Sequence, residues 1–433
     1  MKIQKYRFSI LLALCGVMLA FVSPVKAQKY DSNGKEGRFT LSLSGDGWFL
    51  WQDKQAEWKQ DRLFLPEEIT GLSRLPVNPP TGGWERLQPR HARAVQVPGT
   101  VEEYLTTSDY PRPEDGVGVS WWFRTLKLPA DLKGKRFLIH FESVRLRAEV
   151  YLDRKLVAYD IIGESPFDAD ITEAVQPGKE QCLAVRVTNP GGNFHWQDFN
   201  EMYWGKYQIP PGRSFGGIIG RVRLDAVSPV YVSDIYMQNQ PERTKVKAIL
   251  TVNNTSAKTE KQDIYFSVYE KENPGKVILE KKLPRVALKQ GTNVVTMELH
   301  CPEARIWDLD TPYLYVCGVD VKSGKKLSDR AVQTFGFRWF EPVGIGKDAM
   351  LRLNGRRVML RTAISWGYWP ATGLYATPEM AEKQVSVAKS MGLNMLNFHR
   401  SIGSPVVLEK ADELGLLYYE EPGAFHSAGH DPF

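Results

Sequence analysis

Short runs of alternating apolar residues, separated by turn residues, occupy the chain from about residue 40 to residue 340. In Arg136–Glu142, the side chains of Phe137, Ile139 and Phe141 fall on one face, which is the two-residue period of a half-buried strand. Helical periodicity is scarce in this stretch. Because a sheet with one apolar face must bury that face against another layer, the pattern predicts β-sandwiches.

The first part of this stretch predicts a jelly-roll β-sandwich, which we assign to residues 28–228. A hairpin turns at Asp153-Arg154, and a segment that begins with a proline follows as a bent edge strand. The further predicted strands are Ala148–Leu152, Lys155–Tyr159, Cys182–Val187 and Gly217–Leu224.

The second part, residues 229–340, predicts an immunoglobulin-like β-sandwich, because seven short strands fit into about a hundred residues. Cys301 and Cys317 both fall in it. They either pair in an oxidising compartment or serve as small buried apolar residues. The predicted strands are Val230–Met237, Val246–Val252, Ile264–Val268, Val277–Leu283, Asn293–Leu299, Leu314–Val321 and Ala331–Phe337.

The pattern changes near Glu341, where strands begin to alternate with helices. Asn354-Gly355 predicts the two-residue turn of a hairpin. Thr377-Pro378 predicts the start of a helix that runs to Met391, with Met380, Val387, Ala388 and Met391 on one face. Strand Leu393–Phe398, a helix from Ser404-Pro405 to Gly415, and strand Leu416–Tyr419 follow.

This order predicts the beginning of a (β/α)₈ TIM barrel in residues 341–433. A complete barrel needs about 250 residues. We therefore expect the barrel to be truncated in this chain.

The amino terminus predicts a secretory signal peptide over residues 1–27: a basic start, an apolar run from Phe8 to Val22, and the cleavage pattern Val25-Lys26-Ala27. The alternative is an uncleaved anchor, but a spanning helix needs about 20 apolar residues. We expect export to the periplasm or the exterior, and no membrane span after cleavage.

The leader holds four of the 56 basic residues and none of the 50 acidic ones, so the mature chain is nearly neutral and nucleic acid is not an expected partner. Nothing in the sequence indicates a cofactor or a metal site, and the oligomeric state is left open.

Several segments, taken in order, resemble glycoside hydrolase family 2, the family of β-galactosidases, β-glucuronidases and β-mannosidases. Their order and spacing carry the resemblance, since each is weak alone. They are Val97–Thr100, Ser120–Arg124, Phe137–Thr172, Gly216–Ile218, Trp307 with Pro312–Tyr315, Phe335–Arg338, Leu353–Arg361 and Asp412–Leu416.

The resemblance implies a glycosidase that cleaves O-glycosidic bonds of an oligosaccharide or polysaccharide by a retaining mechanism with two glutamates. In the family these glutamates end barrel strands four and seven, so no catalytic residue is assigned in this chain and the fragment itself is expected to be inactive. Asn200-Glu201 resembles the acid/base motif but falls in the first sandwich.

Residues that follow barrel strands face the active site of this fold. They predict a substrate-binding rim of aromatic rings for the sugar face and polar groups for its hydroxyls. In the family, a loop before the last jelly-roll strand also reaches the barrel, and the aromatic insertion Asn193–Tyr207 occupies that place. The candidates are Trp366, Asn397, His399, Arg400, Glu420 and Glu421 on the barrel, and Asp198 with Trp196 on the insertion.

Two departures from the family pattern argue against the common galactosidase and glucuronidase specificities. Asn397 stands where many members have an arginine, and Arg400 stands where they have a histidine. We therefore expect a divergent subgroup that acts on a complex polysaccharide. The alternative function is a non-catalytic carbohydrate-binding protein made of the two sandwiches, with the last segment as a small appended lobe.

Overall fold

The computed structural model describes residues 31–32, 37–105, 116–163, 165–191, 202–204, 207–209, 215–369, 371–399 and 401–421. The predicted leader, Arg400, Asp198 and Trp196 lie outside the described residues. No helix within the described ranges is long and apolar enough to cross a membrane.

The first domain is a sandwich of a five-stranded and a six-stranded sheet, in the orders β1-β2-β16-β7-β11 and β10-β9-β12-β6-β3-β4. Its core lies between them, with Trp48, Trp122, Ile139 and Phe141 at most 1% exposed. Its strands are β1 (Asp31–Ser32), β2 (Phe39–Ser42), β3 (Gly45–Asp53), β4 (Arg93–Val97), β5 (Gly99–Thr100), β6 (Gly118–Lys127), β7 (Arg136–Phe141), β8 (Val144–Arg145), β9 (Arg147–Leu152), β10 (Lys155–Asp160), β11 (Phe167–Asp170), β12 (Glu180–Asn189), β13 (Met202–Trp204), β14 (Tyr207–Ile209), β15 (Gly217–Ile218) and β16 (Val222–Val227).

The long connection between β3 and β4 covers the outer face of the six-stranded sheet. Trp84 packs there edge-on against Trp121 and Tyr151, with ring centroids 5.7 and 5.2 Å apart. A short helix, α1 (Val101–Leu105), follows β5. The first domain also contains short 3-10 helices, four in the connection between β3 and β4 and one between β6 and β7. They are Pro66–Glu68, Leu72–Arg74, Trp84–Arg86, Pro89–His91 and Ala130–Leu132.

The second domain contains all seven predicted strands, in a three-stranded sheet β17-β18-β21 and a four-stranded sheet β20-β19-β22-β23. Cys301 and Cys317 are buried and unpaired, and burial raises the pKa of each thiol to about 12. They act as small apolar residues of the core. The strands are β17 (Val230–Asn239), β18 (Lys245–Asn254), β19 (Glu260–Glu270), β20 (Asn273–Leu288), β21 (Gly291–His300), β22 (Tyr315–Ser323) and β23 (Lys326–Phe335).

The third segment opens with an antiparallel sheet of β24 (Phe340–Val343), β25 (Met350–Leu353) and β26 (Arg356–Val358). Asn354 and Gly355 form the predicted turn between β25 and β26, with φ of 53° and 79°. Both residues take the left-handed conformation that a two-residue hairpin turn requires, which explains the choice of asparagine and glycine.

A parallel three-stranded sheet follows, with the order β27 (Thr362–Ser365), β28 (Met395–Phe398), β29 (Leu417–Glu420). Its strands are connected by α2 (Pro378–Ser390) and α3 (Pro405–Leu414). The hydroxyl of Thr377 caps α2 as predicted, accepting from the backbone N–H of Met380 over 3.2 Å. This is a parallel α/β unit, and its extension into a barrel stays a prediction.

The predicted apolar face of α2 was partly wrong. Ala381, Val385 and Ala388 are the buried residues of this helix, whereas Val387 and Met391 are 46% and 72% exposed. Ala381, Val385 and Ala388 recur at the spacing of one helix face, which packs against the core, whereas Val387 and Met391 fall off that face.

Helix α3 is held by both sandwiches. The guanidinium of Arg221, directly before β16, binds the carboxylate of Glu409 with two hydrogen bonds of 3.0 and 2.6 Å. From the second domain, the amine of Lys271 lies 2.5 Å from Glu413, and the indole N–H of Trp307 donates to the carbonyl of Asp412 over 2.7 Å. These contacts fix the parallel sheet relative to the two β domains.

Candidate functional site

The parallel register sorts the residues of the three strands onto two faces. Ile364, Asn397 and Tyr419 are partners across β27, β28 and β29, so their side chains share one face. The neighbouring residues Leu396 and Phe398 lie on the opposite face, where they are buried in the core with the helices. The first face is therefore the one turned away from α2 and α3, and we call it the inner face.

The inner face is open among the described residues. Ile364 and Tyr419 are 55% and 52% exposed. A parallel sheet is ordinarily covered on both faces. The helices cover one face here, and apolar side chains remain exposed on the other.

Three predicted site residues meet at the carboxyl ends of the strands. Trp366, directly after β27, places its ring edge-on to the imidazole of His399, with centroids 4.7 Å apart. The Nδ1 atom of His399, directly after β28, lies 3.0 Å from Oε2 of Glu421, directly after β29. One residue from each strand end therefore joins a continuous row of an indole, an imidazole and a carboxylate, which we call the rim row.

Backbone hydrogen bonds hold the rim row in place. The N–H of His399 donates to the carbonyl of Ser365 over 3.0 Å, and the N–H of Glu421 donates to the carbonyl of Ser401 over 3.3 Å. The side chains of His399 and Glu421 are each 19% exposed, and Trp366 is 42% exposed. Backbone hydrogen bonds therefore fix the positions of His399 and Glu421, while the side chains of the rim row remain accessible to solvent.

Asn397 lies within β28, not beyond its end as its place among the rim candidates suggested. Two residues before His399 on the same face, it stands one step deeper than the rim row. Its Oδ1 atom is buried and has no hydrogen-bond partner among the described residues. A buried amide oxygen without a donor is costly, so this atom is suited to accept from a group that is added to the inner face.

Glu420 serves a different purpose from its neighbour Glu421. As the last residue of β29, it pairs with Phe398 and faces the helices, and its Oε1 accepts from the backbone N–H of Gly403 over 3.1 Å. Ser365 faces the same way and accepts from the Gln384 side chain over 2.9 Å. These two polar groups brace the loops and helices around the rim row.

The two tryptophans after β27 also separate. Trp369 is half-buried and packs against the core between the sheet and the helices, whereas Trp366 stands at the surface. The backbone of Trp369 exchanges hydrogen bonds with that of Gly373, at 2.8 and 2.7 Å. Trp369 therefore shapes the loop that presents Trp366.

The jelly-roll domain holds this loop from the other side. The rings of Phe215 and Tyr368 lie 5.5 Å apart, and a side chain at Gly373, which has a φ of +82°, would place its Cβ 2.8 Å from Phe215. Thr100 donates its hydroxyl to the buried carbonyl of Thr372 over 3.0 Å. The sequence carried no local signal for these contacts, because their partners lie 150 or more positions apart.

A titratable pair completes this interface. The hydroxyl of Tyr375 donates to Oε2 of Glu103, on α1, over 2.9 Å. Burial raises the pKa of Glu103, and the Tyr375 hydrogen bond opposes that shift. The pKa of Tyr375 is also raised, first by burial and then by the neighbouring Glu103 charge.

The aromatic insertion is described only in part. Trp204 is fully buried; its indole N–H donates to the carbonyl of Trp58 over 2.6 Å, and the guanidinium of Arg147 lies 4.7 Å from its ring centroid. This tryptophan is a packing anchor of the first domain. Asp198, Trp196 and Arg400 lie outside the described residues, so their predicted roles stay predictions.

The rim row can bind a sugar ring through the indole face and exchange hydrogen bonds with hydroxyls through the imidazole and the carboxylate. Within the described parts of the chain, no group of three or more histidine, cysteine or acidic side chains is placed to hold a metal ion.

Comparison with known proteins identifies both sandwich domains. Residues 42–206 match the profile "Glycosyl hydrolases family 2, sugar binding domain" and residues 230–338 match "Glycosyl hydrolases family 2". A β-glucuronidase of Formosa agariphila is 25% identical over 69% of this chain and 31% of its own length. A β-galactosidase of Thermoanaerobacter pseudethanolicus is 26% identical over 73% of this chain and 41% of its own length.

Solved structures have the same fold. A family 2 glycosyl hydrolase of Bacteroides cellulosilyticus superposes with a TM-score of 0.68 and 22% identity, covering 88% of this chain and 47% of that one. A β-glucuronidase of Bacteroides uniformis gives 0.67 and 22%, covering 91% and 43%. The chain spans less than half the length of the curated relatives it matches, over their N-terminal part. By its two domain profiles it belongs to glycoside hydrolase family 2.

Proposed function

We propose that this chain is the N-terminal part of an exported glycosidase that hydrolyses O-glycosidic bonds of an oligosaccharide or polysaccharide, with retention of configuration. The observation that carries the proposal is the rim row of Trp366, His399 and Glu421 at the carboxyl ends of three parallel strands. In barrel enzymes these strand ends surround the substrate.

The rim row contributes binding, not bond cleavage. The indole of Trp366 offers an apolar surface to a sugar ring, and Glu421 accepts hydrogen bonds from hydroxyls while His399 orients it. Retaining hydrolysis needs two carboxylates about 5–5.5 Å apart. By the family resemblance these come from later barrel strands, so we assign neither of them to a residue of this chain.

The open inner face favours an enzyme over a protein made only of two sugar-binding sandwiches. Ile364 and Tyr419 are exposed there, and the amide oxygen of Asn397 is left without a donor among the described residues. In a small appended lobe, exposed apolar side chains and a buried oxygen without a donor would be unfavourable and would serve no function. Further parallel strands of a barrel would cover all three residues.

The first test is an assay of the purified chain, residues 28–433, against a panel of aryl β-glycosides, beside the complete protein encoded by the same open reading frame. We expect turnover only from the complete protein. Turnover by residues 28–433 alone, in a sample free of host enzyme, would show that the catalytic carboxylates lie within this chain.

The second test separates two adjacent glutamates in the complete protein. Glu421→Gln should lower kcat/KM by about 10²-fold, which is about 2.7 kcal/mol, and leave the melting temperature unchanged. Glu420→Gln is the matched control, because Glu420 faces the helices; it should lower the melting temperature slightly and leave kcat/KM within about twofold. The reverse pattern would remove the rim row from the active site.

Arg400 is tested in the same assay on the strength of the sequence. Arg400→Ala should lower kcat/KM by about 10²-fold with little loss of stability. A large fall in melting temperature with unchanged kinetics would identify it as a structural ion-pair partner.

A further inference from the structure

A groove of about 710 Å³ lies between the immunoglobulin-like domain and the β25–β26 hairpin. Arg243, Arg305, Arg356, Tyr313, Trp339 and Asn354 line its walls, and we call it the arginine groove. The hairpin leads into the amino end of β27, so the groove lies towards the end of the sheet opposite to the rim row. No residue of the rim row lines it.

The floor of the arginine groove is fixed by hydrogen bonds from a single side chain. Oδ1 of Asn354 accepts from the backbone N–H of Trp339 over 3.1 Å, and Nδ2 donates to the carbonyl of Trp307 over 2.8 Å. The backbone N–H of Asn354 also donates to the carbonyl of Trp339 over 2.9 Å. The hairpin, Trp339 and the second domain are therefore joined before any ligand arrives.

Two of the three arginines form no ion pair with a carboxylate in the described part of the chain, although Arg305 still interacts electrostatically with the carboxylate of Glu270. Arg356 pairs with Asp308. The guanidinium of Arg305 lies 4.8 Å from the ring centroid of Tyr313, and neither Arg305 nor Arg243 has a carboxylate in ion-pair contact within the described part of the chain. Both are exposed.

The backbone brings these two arginines to the same wall. The N–H of Cys301 donates to the carbonyl of Thr244 over 3.0 Å, so Arg243 lies beside the segment that leads to Arg305. Two exposed guanidinium groups and two half-buried aromatic rings, Tyr313 and Trp339, then face one concave surface.

Guanidinium groups bind carboxylates and sulfates through paired N–H donors, and aromatic rings offer apolar faces with a polar edge. Together these groups fit a sugar ring that bears an acidic substituent. We propose that the arginine groove is a second carbohydrate-binding site for an anionic glycan, separate from the rim row. A nucleic-acid strand fits less well, because the 56 basic residues of the chain are nearly balanced by 50 acidic ones.

The test is affinity electrophoresis of the purified chain at low salt in gels that contain dextran sulfate, polygalacturonate or neutral dextran, with oligo-dT as a competitor. We expect retardation by one or both anionic polymers and none by dextran; the two anionic arms distinguish sulfate from carboxylate recognition. The Arg243→Ala/Arg305→Ala double variant should weaken binding about 10- to 100-fold, from the loss of charged hydrogen bonds.

The matched control is Arg74→Ala/Arg90→Ala, which removes the same charge from exposed positions of the first domain. It should bind as the unchanged chain does, and all forms should melt at the same temperature because the replaced residues are exposed. Equal losses in both double variants, equal retardation by dextran, or competition by oligo-dT at equal charge concentration would overturn the proposal. None of these outcomes bears on hydrolysis, so the proposed function is tested independently.

Discussion

The phenol of Tyr375 and the carboxylate of Glu103 form a 2.9 Å hydrogen bond that joins the loop after β27 to helix α1 of the jelly-roll domain. The pair lies next to the hydrogen bond from Thr100 to Thr372. The first domain therefore sets the conformation of the loop that begins at Trp366. The position of the rim row therefore depends on contacts with a separate β-sandwich.

The same pair predicts a pH-dependent stability. Burial raises the pKa of Glu103 above its ordinary value of 4.5, so the folded state holds the proton more tightly than the unfolded state. This contribution is fully present below pH 4.5 and is lost as the pH rises through the folded pKa. Glu103→Gln keeps an oxygen acceptor for Tyr375 and removes the charge. We expect its melting temperature at pH 7 to exceed that of the unchanged protein by about 2 °C.

The difference should vanish when the melts are repeated near pH 4. Glu85→Gln is the control, since Glu85 forms an exposed ion pair with Arg154 and should show no such pH trend. A lower melting temperature for Glu103→Gln at every pH would mean that the ionised carboxylate stabilises the interface.

Two tryptophans should differ in their effect on stability. Trp204 is fully buried beneath Arg147 and against Trp58, so Trp204→Ala should lower the free energy of unfolding by about 3–5 kcal/mol. Trp366 is 42% exposed, and Trp366→Ala should stay within about 0.5 kcal/mol. Urea denaturation of both variants measures the contrast; equal losses would contradict the packing that separates the anchor from the rim.

The ion pair between Arg221 and Glu409 should contribute little despite its two short hydrogen bonds. Its side chains are 45% and 51% exposed, and exposed pairs stabilise by about 0.2–1 kcal/mol. A double-mutant cycle with Arg221→Ala and Glu409→Ala should give a coupling energy in that range, smaller at high salt. A value above about 2 kcal/mol would instead make this pair the main clamp on α3.

If the protein is exported, its signal peptide should be removed. The basic start, the apolar run and Val25-Lys26-Ala27 predict cleavage after Ala27. Mass spectrometry of protein recovered from the periplasm or medium should find Gln28 first. Protein that retains Met1 in the cytoplasm would contradict the expected location.

The sequence by itself determined the elements whose signals are local. The alternation in Arg136–Phe141, the seven strands of the second domain and the Asn354-Gly355 turn all appear where their side-chain pattern placed them. The cap at Thr377 is equally local, since its hydroxyl bonds a backbone group three residues away. Order and spacing of these pieces were also enough to indicate the family.

Only the tertiary structure decided which side chains reach the rim. Glu420 and Glu421 are adjacent and chemically alike, yet one braces Gly403 and the other meets His399. The difference follows from the register of β29 against β28 and from the face that α2 and α3 cover. Likewise, Arg147 buries Trp204 and Glu103 meets Tyr375 across long stretches of chain. No local pattern encodes such contacts, because they exist only once whole sheets have packed together.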